Sequence, residues 1–170
     1  TRAFLEQLKY EERLLKDRLL SKLISGTQIR VLNDTSLLYF CALHISAGHY
    51  YTLSPGLRLY VDIDRLVRNT TIDWEEIIKW TIADNAGIRI SLVFYISKLI
   101  LKTPIPKNIY KDLFLFKRNQ RLLNYLVDPK TLRFQNKSSK LRRLYVEIAS
   151  DNKNLIINFF HRLLNKLLKY

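Results

Sequence analysis

The 170-residue chain has no methionine, one cysteine, four glycines and four prolines. A lone cysteine, Cys41, excludes an intramolecular disulfide framework. Its apolar neighbours make it read as a small buried hydrophobe, since a nucleophilic thiol needs polarity and access. Four scattered glycines cannot make a phosphate-cradling loop or a dinucleotide fingerprint, and neither motif occurs. No GxSxG is present, and no serine has an obvious histidine and acid around it. So little glycine and proline also leaves no material for long linkers, and the length suits one compact domain, alone or with a short extension. A cleavable signal sequence is missing, as is any apolar run near the roughly 20 residues that span a bilayer. A cytoplasmic protein with no transmembrane segment is therefore expected. Thr1 fits both removal of an initiator methionine and a piece cut from something longer.

Positive charge is what the chain has in excess. The formal charge is +14, with 13 Lys/Arg against 11 Asp/Glu in residues 1–100 and 16 against 4 in residues 101–170. A field so placed favours polyanionic partners, nucleic acid among them, but a basic surface alone sets no substrate.

Residues 35–48, TSLLYFCALHISAG, organise the remainder, because Leu37 to Ala47 includes no Asp, Glu, Lys or Arg. A helix apolar on every side must be surrounded by other elements. Before it, residues 3–24 carry Phe4, Leu8, Leu15, Leu19 and Leu23 at helical spacing, ended by Gly26, and Thr27 to Leu32 is a short extended segment. Asp34 or Thr35 supplies the cap of the apolar helix. After the loop HYYTLSPG, Leu57 to Arg68 is again helical. Asp73 begins the next helix, with Glu76 at the third position and Ile72 and Ile77 as a hydrophobic staple. Gly87 precedes a long, mostly buried helix that Pro104 and Pro106 stop. Three short helices follow at 108–116, 118–127 and 140–150. A last helix from Asp151 to Tyr170 has the stripe Leu155, Ile156, Phe159, Phe160, Leu163, Leu164, Leu167 and Leu168. The expected fold is all-α, about seven or eight helices packed as one multi-helix domain with at most a minor short strand. It divides into residues 1–34, an amphipathic helix and connection; 35–116, a central helical domain; and 117–170, basic helices on the same core.

Few constellations carry chemistry. Asp62 and Asp64 could hold a divalent ion if they lay on a strand, where residues two apart share a side. On a helix they diverge by about 200°, and the surrounding pattern is helical. Arg58 or Arg65 then stands ready for Asp62 and Arg68 for Asp64. His44 and His49 are five apart, whereas a zinc pair on one helix is four apart as in HExxH. His44 reads as a hydrogen-bonded core histidine, and His49, in a loop, is freer to meet a ligand. No metal site and no catalytic residue is assigned. Lys117, Arg118 and Arg121, then Lys137, Lys140, Arg142 and Arg143, form two clusters that line a phosphate backbone or are simply solvated faces.

The succession LLYFCALHISAGHY, LRLYVDIDRLVRNTTIDWEEIIKWTIADNAG and VFYISKLILKTPIPKNIYKDL resembles the C-terminal helical region of a family of uncharacterised nucleotidyltransferase-like proteins. The matching residues are Leu43, His44 and His49; Arg58, Asp62 and Leu66; Ile72, Asp73 and Trp74; and Pro106, within residues 35 to 113. The resemblance implies a larger enzyme whose preceding catalytic domain holds magnesium and a nucleoside triphosphate on paired acids. Nothing before residue 35 matches those elements. The chain is then a helical accessory or substrate-side portion of a nucleotidyltransferase-like protein, with no cofactor of its own, an upstream catalytic domain as partner and little activity alone. His49 and Arg58 are its candidate substrate contacts, with Asp62 and Arg65 as supports. Two other readings stand beside it: a basic nucleic-acid-binding module, and an interaction module working through its last helix.

Overall fold

Ser25 and Gly26 both take positive φ, 49° and 80°, which is the backbone of a two-residue type I′ hairpin turn. In a computed structural model that describes residues 19–49, 51, 57–115 and 117–128, this turn joins β1 (Leu19–Ile24) to β2 (Thr27–Leu32). The strands pair antiparallel, Leu19 opposite Leu32 and Ile24 opposite Thr27. Residues 19–24 were expected to end an amphipathic helix, and that expectation fails. Leucines four apart suggested a helical stripe, but the Ser-Gly dipeptide reverses the chain and the two segments satisfy each other's backbone groups. Its apolar residues are not buried either: Leu20, Leu23 and Ile24 are exposed, Leu23 by 75%, as is Ile29 on the facing strand.

Five α-helices follow: α1 (Asp34–Leu43), α2 (Leu57–Asn69), α3 (Trp74–Ala83), α4 (Gly87–Leu101) and α5 (Lys117–Val127). With the two-stranded sheet they replace the all-α arrangement of seven or eight helices among the described residues. The helix expected over 108–116 is instead a pair of 3₁₀ turns, Lys107–Ile109 and Lys111–Phe114, interrupted at Tyr110 by φ −128°. The first part of the N-terminal helix, the 140–150 helix and the Asp151–Tyr170 stripe lie outside the described residues.

Caps place the helix starts. Asn33, not Asp34 or Thr35, caps α1, its Oδ1 accepting from Ser36 N–H at 2.8 Å. Thr35 is used elsewhere: its Oγ1 accepts the N–H of Asp73 at 3.0 Å. Asp73 Oδ1 in turn accepts from Glu76 N–H at 2.9 Å, as a capping residue should. One hydroxyl thus ties the beginning of α1 to that of α3.

Helix α1 packs on α2, α3 and α4, and α4 also meets α2 and α3. Leu38, Tyr39, Ala42 and Leu43 of α1 share the core with Ile63 of α2, Ile77 of α3 and Leu92, Val93 and Phe94 of α4. Each fully buried Leu or Ile contributes about 2 kcal/mol by leaving water. Trp74 sets its ring edge-on to Phe94, centroids 5.7 Å apart. The far end of α4 is closed by Arg68: its Nη2 donates to the carbonyls of Leu101 and Lys102 at 3.3 and 3.0 Å, a cation where a helix C-terminus favours one. Among the described residues no helix is long and apolar enough to cross a membrane.

Candidate functional site

Helix α1 does not stop at Leu43 but widens into a π-helical turn over His44–Gly48. In that turn His49 N–H donates to the His44 carbonyl five residues back, at 3.2 Å. Residues five apart are therefore stacked one turn above each other, as they are not in an α-helix. The two imidazoles meet accordingly, Nε2 to Nε2 at 3.2 Å, with ring centroids 4.8 Å apart and planes nearly perpendicular. The spacing that argues against a pair on an α-helix is the one that makes a pair here.

His44 is exposed rather than a core histidine, and exposed Phe40 stacks parallel to its ring at 6.2 Å. Its position follows from Phe40 and His44 being four apart on an exposed stripe of α1. Partial burial, and then the neighbouring His44, hold His49 below its ordinary value of 6.5. A neutral His49 imidazole at neutral pH can accept or relay a proton or contact a polar ligand. Gly48 leaves room for it, since a Cβ there would come within 3.2 Å of His44 Nδ1.

Helix α2 packs on α1. Leu37 and Cys41 of α1 share a groove of about 450 Å³ with Asp62, Arg65, Leu66 and Asn69 of α2 and with Thr70. Arg58 is exposed on α2 one turn before Asp62, and no hydrogen bond among the described residues brings it to the histidines. Asp62 and Arg65 both line the groove, and no ion pair joins Asp62 to Arg58 or Arg65 among the described residues. Cys41 is half-buried rather than buried. Burial first, and then the charge of Asp62, push its thiol up to about 11, so it is not a nucleophile at neutral pH.

Asp64 points elsewhere. Arg68 Nε donates to both of its carboxylate oxygens at 2.9 Å. Burial raises the Asp64 pKa, but hydrogen bonds from Arg68 and Thr103 and the Arg68 charge outweigh it and hold the carboxyl below 3.8. Two acids on opposite sides of one helix, one of them already clasped, do not fit a magnesium ion held between them. Among the described residues no group of three or more His, Cys, Asp and Glu could hold a metal ion.

Of the basic candidates, Lys117 and Arg121 are exposed on α5, one turn apart. Arg118 is on the same helix, and Lys137, Lys140, Arg142 and Arg143 lie outside the described residues. What the sequence concealed is Arg89, only 2% exposed, whose Nη1 donates to the Ser46 carbonyl in the π-turn at 3.4 Å. A π-turn frees carbonyls from their usual partners, and a buried guanidinium can take one.

A family model described as uncharacterised nucleotidyltransferase matches residues 3–100. The matched span takes in the hairpin and α1 to α3 as well as nearly all of α4, so it begins before residue 35 and does not single out a C-terminal helical part. No curated protein and no solved structure matches the chain.

Proposed function

The chain belongs to the uncharacterised nucleotidyltransferase family, whose model covers 98 of its 170 residues, and from that premise we propose that its helices form the substrate side of a cytoplasmic nucleotidyl-transfer enzyme. In this proposal the triphosphate and its magnesium are bound by carboxylates beyond the described helices, in a domain that precedes them. Among the described residues the exposed hairpin pairs with no third strand, and its edges offer that domain a place on which a sheet can continue. His49 and Arg58 contact the acceptor or the transferred phosphate, and Asp62 and Arg65 orient them from the groove.

The observation that carries this reading is the orientation of the acids on α2. Asp64 is turned away and clasped by Arg68, while Asp62 and Arg65 line the groove between α1 and α2. That arrangement suits polar contact with a substrate better than metal-ion catalysis. Calorimetric titration of the chain with a nucleoside triphosphate, with and without magnesium, tests it. The expected result is no magnesium-dependent binding, in the parent chain and in Asp62→Asn alike. Magnesium-dependent turnover that disappears in Asp62→Asn would overturn the division of labour.

A nucleic-acid-binding role has one observation in its favour, the exposed pair Lys117 and Arg121 in a half of the chain that carries a net +12. It requires affinity for duplex or single-stranded nucleic acid that falls linearly in log–log with salt.

A further inference from the structure

Away from the histidines, a cavity of about 650 Å³ opens between α3, α4, the two 3₁₀ turns and α5. Ile78 and Ile82 of α3 and Ile88 of α4 give it an apolar wall. Two oxygens in its lining are buried without a hydrogen-bond partner among the described residues, Thr81 Oγ1 and Asn119 Oδ1. Asn119 is only 3% exposed. Native proteins pair nearly all such atoms, and an orphan at the wall of a cavity marks a place for a ligand's donor. Charge narrows the class of occupant. Asp112 lines the rim, and no Lys or Arg is in the lining among the described residues. A phosphate or carboxylate would lose its hydration there and meet a like charge.

We propose that this cavity is a binding site for an uncharged, largely apolar small molecule whose N–H or O–H group donates to Asn119 Oδ1. Its volume is that of ordinary small-molecule sites, which combine apolar walls with a few placed polar groups. The Thr81 hydroxyl supplies a second hydrogen bond, as donor or acceptor. This site is separate from the α1–α2 groove, and its occupancy does not depend on nucleotidyl transfer.

The test uses N-phenylnaphthylamine, an uncharged ring system with one N–H, and anilinonaphthalene sulfonate, the same rings carrying an anion. Fluorescence titration of the full chain is expected to show saturable one-to-one binding of the neutral probe and at least about tenfold weaker binding of the sulfonate. Asn119→Leu keeps the volume and removes the acceptor. It should weaken the neutral probe about fivefold while leaving Tm unchanged or higher, because an orphaned oxygen leaves the interior. Ile88→Trp fills the cavity and should abolish binding with Tm retained. A purely structural Asn119 would instead lower Tm on replacement and leave probe affinity alone. No saturable binding of the neutral probe, equal binding of the two probes, or unchanged affinity in Ile88→Trp would each overturn the assignment, the last of these even if Asn119→Leu failed to fold.

Discussion

Two titrating side chains, His49 and Cys41, report most directly on the α1–α2 surface. His49 is held below 6.5 by burial and by His44, so its neutral form is favoured in the folded chain. The unfolded chain takes up that proton first as the pH falls below 6.5; the contribution of His49 is therefore complete above 6.5 and is lost as the pH drops towards the folded-state value. His44→Ala should move the His49 titration midpoint back upwards in histidine-detected NMR and soften the loss of stability on the acid side. Cys41 should alkylate slowly with iodoacetamide at pH 8, with a rate that rises towards about pH 11. Asp62→Asn should bring that profile to lower pH, because it removes the charge facing the thiol. An unchanged profile would show that Asp62 does not face Cys41. At this scale the sequence was only partly legible. The Arg68 partner of Asp64 was readable from four-residue spacing, but the His44–His49 pair depends on a π-turn that no spacing rule for α-helices contains.

The helices α3 and α4 were legible because of strong local signals, Asp73 at the cap of α3, Gly87 at the start of α4 and Pro104 beyond its end, and α2 from its apolar periodicity. The hairpin was not, because Leu15, Leu19 and Leu23 happen to fit helical spacing and only Ser25-Gly26 speaks for reversal. Its strands lie on the surface, so the pattern of burial could not correct the period. Leu23→Lys, at a side chain 75% exposed, should therefore leave thermal unfolding unchanged, whereas a helix packed through Leu23 would be visibly destabilised. At the end of α4, Arg68→Ala removes both the clasp on Asp64 and the donors to the Leu101 and Lys102 carbonyls. The expected cost is about 1 kcal/mol in urea unfolding, modest because Arg68 is well exposed. Asn33→Ala, which uncaps α1, should cost about the same.

For the molecule as a whole, the sequence indicates one largely helical core built around α1 and a family resemblance in its middle, and the family match extends that relation back to residue 3. The cavity at Asn119 could not be read, because its walls come from residues more than 35 positions apart, Ile78 to Asn119, with nothing local to announce them. The functional account rests on one feature of the architecture: α2 is a helix, its two acids diverge, and Arg68 takes one of them. Manganese is the direct probe, since it replaces magnesium in oxygen sites and broadens nearby NMR signals. Titration of the isotope-labelled chain should show no saturable broadening centred on the amides of Asp62 and Asp64, and the same spectrum in Asp62→Asn. Saturable broadening focused on those two residues and abolished by Asp62→Asn would contradict the account and place a metal centre on this helix.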